Sequence, residues 1–375
     1  MDFSFTEEQD LLRDSVRKLV EKDYSFSARG ALLKSDVGFS RSLWKHYAEL
    51  GWTALPFSEA DGGLGGKAVD TMIVLEELGK GLVLEPYLTS IIFAGGLLKR
   101  ASDAVRGRYL PSLIEGDLIA AVAYAEPESR FDLERVSTTA KRDGDGYVLN
   151  GQKLAVLGGP AANLFIVSAR TSGNAGDRDG ITLFAVDGKS AGLHKLDYQT
   201  VDGLRGSNLT FTNVNVGSDQ IVGAPEKGFS LLERASDETL IALGAEAVGV
   251  FSVLFKSTVA YTKERKQFGV PIAVFQVLQH RMVDMFTEYE LSKSMLYMAT
   301  MTQDAGKPIE KAASALKVQL GKSGRFIGQA AIQNHGGMGM TEELAVSHYF
   351  KRSTVIDLTL GNTEHHLARY RSLAT

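Results

Sequence analysis

The first part of the chain has apolar residues at the three- and four-residue spacing that is typical of amphipathic helices. Thr6 precedes the first such run, and a glutamine follows three residues later, as in a capping box. Two further runs, at 41–50 and 69–82, predict helices, and the glycine-rich segment 56–66 between them predicts a loop. We therefore expect an N-terminal helical domain over residues 1–117.

The pattern changes after residue 117, where short apolar runs are bounded by turn residues. Runs of this kind predict β-strands, which we place at 119–124, 147–149, 164–169, 181–186 and 209–216. The sequence Asp-Gly-Asp-Gly from Asp143 favours a tight hairpin turn. We expect a central β domain over residues 118–225, folded as a barrel or a sandwich.

Helical spacing returns in the last part of the chain, residues 226–375. The predicted helices are 229–262, 274–302, 309–333 and 344–369, the last of which is one helix or two. Helices, then strands, then helices indicate an α+β protein, with a helical bundle as the C-terminal domain.

Composition narrows the classes of function. The 375 residues are 44% hydrophobic and 23% charged, with a net charge of −4 and no cysteine. These values describe a globular protein without disulfides, thiolate metal sites or a cysteine nucleophile, and they give no reason to expect nucleic acid as a partner. The segment from Met1 to Ser4 shows no secretion signal, and no uncharged apolar run reaches the roughly 20 residues that span a bilayer. We expect a cytoplasmic protein without a membrane partner.

Two segments of the C-terminal region carry candidate binding chemistry. The first is Arg-Lys-Gln-Phe-Gly from Arg265, which combines a planar hydrogen-bond donor with the flat ring of Phe268. The second begins at Gln333 and contains the adjacent glycines Gly336 and Gly337, which let a backbone lie close to a ligand. No predicted strand precedes these glycines, so they do not form a Rossmann fingerprint.

With this spacing, the chain resembles the acyl-CoA dehydrogenase family, which holds FAD with R-x-x-F-G and Q-x-x-G-G-x-G. The resemblance covers nearly the whole chain. It implies a three-domain fold and FAD-dependent α,β-dehydrogenation of an acyl-CoA, with electrons passed to an electron-transfer flavoprotein. In the family, the matching residues reach the adenine-diphosphate half of an FAD that a neighbouring subunit holds. In this chain they are Arg265, Phe268, Gln276, Gln333, Gly336 and Gly337.

The family segments that hold a subunit's own flavin are altered in this chain. The segment T-E-P-G-x-G-S-D reads A-E-P-E-S-R-F-D from Ala125. The segment K-x-W-I-T reads K-L-A-V-L from Lys153, so Ala155 and Leu157 replace the tryptophan wall and the threonine donor. We therefore expect a subunit that completes the flavin site of a larger partner. It would resemble the small subunits of two-component members such as pimeloyl-CoA dehydrogenase, in a heterotetramer.

The general base is a separate question, because the glutamate of the family's E-G-T segment is Leu360 here. A minority of family members carry the base on the long helix that starts the C-terminal domain. Glu246 is the one charged residue from 239 to 255, and partial burial suits a carboxylate base. The alternatives are Glu238 or Asp237 as base, or a Glu246 that faces solvent or pairs with a basic side chain.

The histidines at 335, 365 and 366 are the candidates for a metal site. Adjacent helical side chains point about 100° apart, so we expect no metal here. The leading prediction is a subunit of a heteromeric acyl-CoA dehydrogenase in fatty-acid or side-chain β-oxidation. The alternatives are a homomeric dehydrogenase that uses Glu246, an inactive scaffold that completes a partner's FAD site, and an oxidase or flavin monooxygenase relative.

Overall fold

A computed structural model describes residues 4–373, so Met1–Phe3 of the segment inspected for a secretion signal lie outside it. The helices are α1 (Glu7–Asp23), α2 (Phe26–Leu33), α3 (Arg41–Glu49), α4 (Ala68–Lys80), α5 (Gly95–Leu98), α6 (Asp103–Ile114), α7 (Gly228–Glu264), α8 (Gln276–Asp304), α9 (Glu310–His335), α10 (Ala345–Leu358) and α11 (Thr363–Ser372). A π-helical segment, Tyr87–Ala94, leads directly into α5.

The predicted capping box begins α1. The Thr6 hydroxyl accepts the Gln9 N–H at 3.2 Å, and the Gln9 side chain accepts the Thr6 N–H at 3.1 Å. The other predicted helices are also confirmed to within a few residues, and the segment 344–369 contains two helices, α10 and α11.

The strands are β1 (Ala120–Ala123), β2 (Thr139–Asp143), β3 (Gly146–Leu157), β4 (Leu164–Arg170), β5 (Ile181–Asp187), β6 (Leu193–Gln199), β7 (Arg205–Gly217), β8 (Ile221–Val222), β9 (Lys266–Gln267) and β10 (Val270–Pro271). The first eight form one sheet in the order β6-β7-β3-β2-β4-β5-β8, with β1 beside β4. The β9–β10 pair forms a separate hairpin.

Both halves of the large sheet contribute to one main hydrophobic cluster. Thr139 and Arg170 join β2 to β4, where the two halves of the sheet meet. Buried side chains from both halves, such as Leu149, Phe165 and Phe211, belong to the same hydrophobic cluster. The predicted hairpin is confirmed, because Asp143 pairs with Gly146 across the turn between β2 and β3. The central segment is thus a β domain, as expected.

The sequence prediction missed β2, β6, β8 and the β9–β10 hairpin. Strand β2 is exposed over its last three residues, and β6 is exposed at most positions, so neither shows an apolar alternation. Their longer neighbours β3 and β7 supply the pairing partners, which single-segment patterns do not reveal.

Tertiary contacts divide the chain into two compact units. The first comprises residues 1–31, 68–83 and 240–375, and the second comprises 32–67 and 84–239. Among the described residues, the strands of the first unit are those of the short β9–β10 hairpin, and the second unit contains the large sheet. The three predicted domain boundaries stay a prediction.

Helix α7 is the one helix between residues 4 and 373 whose length and composition raise the question of whether it could cross a membrane. By length and composition it is apolar enough to do so, but 83% of its most apolar 18-residue window is buried inside the protein. Its burial is that of a core helix. Close packing against α4 depends on glycine, since a Cβ on Gly79 would lie 2.3 Å from the Glu246 carbonyl oxygen.

A second glycine at this contact gives a test of the packing. Gly249→Ala would place a Cβ 2.2 Å from the Glu76 carbonyl oxygen, so the two helices must separate. We expect a loss of about 1–3 kcal/mol in the free energy of unfolding, measured in urea. Gly107→Ala in α6 is the control, because its Cβ would meet nothing within 4 Å. We expect that change to be neutral or to add up to about 1 kcal/mol. Equal effects of the two substitutions would contradict the close contact.

Candidate functional site

The segment after α7 is a hairpin that displays an aromatic ring. The Arg265 N–H donates to the Tyr261 carbonyl at 2.8 Å as the helix ends, and β9 then pairs with β10. The turn residues Phe268 and Gly269 have φ values of +52° and +82°. Phe268 is 93% exposed in this left-handed conformation, which ordinary side chains seldom adopt. An unburied ring on a strained backbone indicates a binding role outside the chain's own core.

The end of α9 presents open backbone. Gln333 is exposed, and Gly336 has φ +61° and ψ −145°, a combination that is accessible essentially to glycine alone. A Cβ added to Gly336 or Gly337 would meet nothing within 4 Å. No residue between 4 and 373 crowds Gly337, so the space beside it is available to a ligand or another chain.

The structure brings these two segments together. The Tyr261 ring stacks on the His335 ring with centroids 4.3 Å apart, and the Tyr261 hydroxyl donates to the His335 carbonyl at 3.4 Å. Gln276, the exposed first residue of α8, follows Phe275, whose ring meets Phe268 edge-on at 6.2 Å. We call the predicted FAD-contacting residues on this surface the outward set: Arg265, Phe268, Gln276, Gln333, Gly336 and Gly337. Their donors, ring and bare backbone fit the diphosphate and adenine of FAD.

A buried ion pair joins the two altered flavin-holding segments. The Lys153 ammonium lies 2.7 Å from the Glu126 carboxylate, and both side chains are at most 4% exposed. Burial lowers the pKa of Lys153 to about 8. Burial also opposes the charge on Glu126, but Lys153 and the N–H groups of Ser137 and Thr138 outweigh it and hold the Glu126 pKa below its usual range. The pair fixes the spacing of the two segments.

We call Ala125, Ala155 and Leu157 the inward cradle. The Leu154 N–H donates to the Ala125 carbonyl at 2.8 Å, so the two segments run side by side. Ala155 keeps a left-handed φ of +51° at an irregularity in the β3–β7 pairing. Two side-chain hydrogen bonds, about 1 kcal/mol each, and one aromatic face, about 1 kcal/mol, are missing relative to the resembled motifs. The inward cradle therefore does not fit an isoalloxazine ring as those motifs would.

Leu360 occupies a rigid turn that carries no carboxylate. It is 9% exposed and has φ +56°. The His366 ring nitrogen Nε2 bonds to the Leu360 carbonyl at 2.8 Å. The fully buried Lys317 ammonium donates to four carbonyl oxygens within 2.9 Å, and burial lowers its pKa to about 7. Those carbonyls belong to Ile356, Asp357, Thr359 and Gly361.

Glu246 pairs with a basic side chain. Arg352 Nε donates to one carboxylate oxygen at 2.6 Å, and Nη2 donates to the other at 2.9 Å. The Glu246 side chain is 12% exposed, and the Arg352 side chain is 6% exposed. A two-pronged arginine contact occupies both oxygens of the carboxylate. This geometry supports the alternative in which Glu246 is structural.

Glu238 is also held by arginines. Its Oε1 accepts from Arg100 at 2.6 Å and from Arg234 at 2.9 Å. Burial favours the neutral acid, but the charges of Arg100 and Lys99 and the two hydrogen bonds outweigh it, so the Glu238 pKa lies below its usual range. A lowered pKa makes this carboxylate a weak proton acceptor. The neighbouring Asp237 is 1% exposed.

The histidines take structural positions. His335 packs against Tyr261, whereas His365 and His366 meet edge-on with centroids 5.0 Å apart. Between residues 4 and 373, no group of three or more His, Asp or Glu side chains is placed to hold a metal ion.

Sequence reasoning missed the partners that define this site. Lys317 is the one charged residue between Lys311 and Lys322, a weak signal of burial that could have pointed to a charged contact. Arg352 was visible as part of a basic pair, but its carboxylate partner lies 106 positions away in the sequence. Tyr261 shows no sequence signal of its own.

The Lys153–Glu126 pair gives a stability test. Lys153→Met leaves the Glu126 carboxylate buried without its counter-ion, which costs about 3–5 kcal/mol in the free energy of unfolding. The double variant Lys153→Met/Glu126→Gln removes both charges, so we expect it to be less destabilised than the sum of the single changes. Chemical denaturation of the original protein, Lys153→Met, Glu126→Gln and the double variant measures this coupling. Strict additivity of the changes in the free energy of unfolding would show that the pair does not interact.

Comparisons with known proteins agree with this architecture. Models of the acyl-CoA dehydrogenase N-terminal, middle and C-terminal domains match residues 6–117, 121–214 and 226–371. Acryloyl-CoA reductase (NADH) of Anaerotignum propionicum is 30% identical over 373 residues, or 98% of this chain and 94% of that protein. The FAD complex of PigA superposes with a TM-score of 0.92 at 27% identity, covering 100% of this chain and 99% of PigA.

A further similar structure is the ChsE4–ChsE5 complex from Mycobacterium tuberculosis. The superposition has a TM-score of 0.90 at 25% identity, and it covers 100% of this chain and 99% of the matched chain of that complex. The three domain matches extend over most of the sequence and follow the helix–sheet–helix order of the fold. The chain belongs to the acyl-CoA dehydrogenase family of FAD-dependent oxidoreductases.

Proposed function

We propose that this chain is a subunit of a heteromeric acyl-CoA dehydrogenase and completes an FAD site that a larger partner subunit holds. The observation that carries the proposal is the contrast between two surfaces. The outward set is exposed, grouped together and chemically suited to the adenine-diphosphate half of FAD. The inward cradle retains its frame but lacks the donors and the ring that the isoalloxazine half requires.

The proposed reaction is α,β-dehydrogenation of an acyl-CoA in the cytoplasm. Bound FAD would supply the acceptor for the hydride that leaves C3 of the acyl group, while a base would remove the proton at C2. Electrons then pass to an electron-transfer flavoprotein. The similarity to acryloyl-CoA reductase supports an acyl-CoA thioester as substrate class, and the similarity to the ChsE4–ChsE5 complex supports an assembly of two components.

The catalytic base of this assembly belongs to the partner subunit in our proposal. Leu360 offers no carboxylate at the usual position, and arginines hold both Glu246 and Glu238. A homomeric dehydrogenase that uses Glu246 is the second candidate, favoured by the position of this carboxylate in the apolar part of α7. Arg352 must release Glu246 before that reaction could proceed, which costs several kcal/mol for a buried pair.

Flavin content tests the division of labour. We expect the chain purified alone to contain little FAD, and the complex with its co-expressed partner to contain FAD. Arg265→Ala should lower FAD retention by the complex about tenfold or more, because a charge-assisted hydrogen bond is lost. Arg371→Ala, which changes an exposed arginine of α11, is the matched control and should retain FAD. A full complement of tightly bound FAD in the chain alone would contradict the proposal.

The role of Glu246 has its own test. Glu246→Gln removes the buried carboxylate that two Arg352 nitrogens contact, so we expect the free energy of unfolding to fall by about 3 kcal/mol. Turnover per bound FAD in the folded complex should stay unchanged. Arg352→Met is the matched variant, since it breaks the same contact from the other side. Loss of turnover in Glu246→Gln, with FAD content and Arg352→Met turnover both normal, would identify Glu246 as the base.

A further inference from the structure

The two segments of the outward set come from distant parts of the sequence, and a pair of aromatic rings joins them. Tyr261 lies one helical turn before Arg265, and His335 lies two residues after Gln333. The rings stack at 4.3 Å with an angle of 27° between their planes. The Tyr261 hydroxyl reaches past the ring to the His335 carbonyl at 3.4 Å. The end of α7 and the end of α9 are therefore fixed against each other at this point.

The burial and the neutral charge of the His335 ring favour a stable stacking contact with Tyr261. The ring is 7% exposed, and its Nδ1 bonds to the Ala331 carbonyl at 2.8 Å, which places the proton on Nδ1. Burial lowers the His335 pKa and outweighs the opposing effect of the carbonyl bond. A neutral ring needs no counter-ion, so the stack adds rigidity to the site without adding a buried charge.

Rigidity at this place has a consequence for binding. A ligand that touches both segments must find them at the correct separation, and ordering them during binding would reduce the affinity. The hairpin that carries Arg265 and Phe268 is exposed, and the pairing of β9 with β10 covers only two residues on each side. So short a hairpin is not rigid by itself, and it depends on the helix end from which it emerges.

We propose that Tyr261 and His335 are positioning residues for the FAD of the partner subunit. They touch no reacting atom. They hold Arg265 and Phe268 at a fixed separation from Gln333 and the open glycines, so that the two segments bind the dinucleotide as one preformed surface. The inference rests on the proposed function, because it concerns the same half-site.

The test uses the flavin-containing complex and the rate at which FAD dissociates from it. Tyr261→Leu and His335→Gln each remove one ring, and His335→Gln keeps a donor for Ala331. Because an aromatic pair contributes about 0.5–1.5 kcal/mol, we expect FAD to dissociate about two- to tenfold faster from either variant. Tyr261→Phe and His335→Phe retain both rings and should restore dissociation to within about twofold of the original rate.

The matched control is Phe255→Leu on the same helix. Phe255 pairs with Phe286 of α8 at 5.6 Å, away from the two joined segments. This variant should lower the melting temperature about as much as Tyr261→Leu but leave FAD dissociation unchanged. If FAD dissociation follows the melting temperature in all variants, the rings have only a general structural role and the inference is wrong.

A second measurement needs neither FAD nor the partner. The Ile272 N–H donates to the Arg265 carbonyl at 2.8 Å and so reports on the hairpin. We expect hydrogen exchange at this amide to accelerate in Tyr261→Leu and His335→Gln, but not in Phe255→Leu or Tyr261→Phe. Unchanged exchange in the two ring-deleting variants would overturn the inference.

Arg265→Ala separates this inference from the proposed function. If Arg265→Ala speeds FAD release and the ring deletions do not, the outward set binds FAD without the help of the stack. If Arg265→Ala has no effect on FAD release, the proposed function itself fails, whatever the ring deletions do to the hairpin.

Discussion

The fully buried Lys153–Glu126 pair is the interaction on which the β-domain part of the site depends. It joins the segment after β1 to the second half of β3, and Lys153 also donates to the Tyr124 carbonyl and the Ser168 hydroxyl. An ion pair with so little exposure is stable only when its remaining donors and acceptors are satisfied. The Tyr124 carbonyl and the Ser168 hydroxyl satisfy the remaining donors of Lys153. The two segments therefore keep their position although the side chains at 125, 155 and 157 are hydrocarbon.

A second buried lysine, Lys317, also stabilises the backbone, here in the helical unit. Lys317 donates to four carbonyl oxygens in the last turn of α10 and just after it, where a helix end leaves backbone acceptors short of partners. The turn that follows keeps Leu360 in a left-handed conformation, which is unfavourable for a branched side chain. Strain of this kind persists only where surrounding contacts impose it. Both lysines thus stabilise the backbone around positions that no longer carry polar side chains.

Features that depend on neighbouring residues in the sequence could be predicted, whereas contacts between distant residues could not. The helices and most strands of the sheet were predictable because the capping box at Thr6, the apolar periodicities and the turn at Asp143 are local signals. The outward set was predictable because its residues stand in two short motifs. The partners of Glu246 and Lys317 were not, since Arg352 and the α10 carbonyls become neighbours only when the helices pack. Strand β6 was missed because it has almost no buried face.

The two surfaces also differ in what keeps their residues in place. Beside the inward cradle, the charged residues Glu126 and Lys153 are held in place by each other, within the chain. On the outward surface, Phe268 has an edge-on contact with Phe275 but stays 93% exposed, and a Cβ at Gly337 would meet no described atom within 4 Å. A strained backbone that holds an almost fully exposed ring points to a contact outside the polypeptide. In our proposal, the adenine-diphosphate half of a neighbour's FAD supplies the phosphate and the flat ring that these residues are suited to contact.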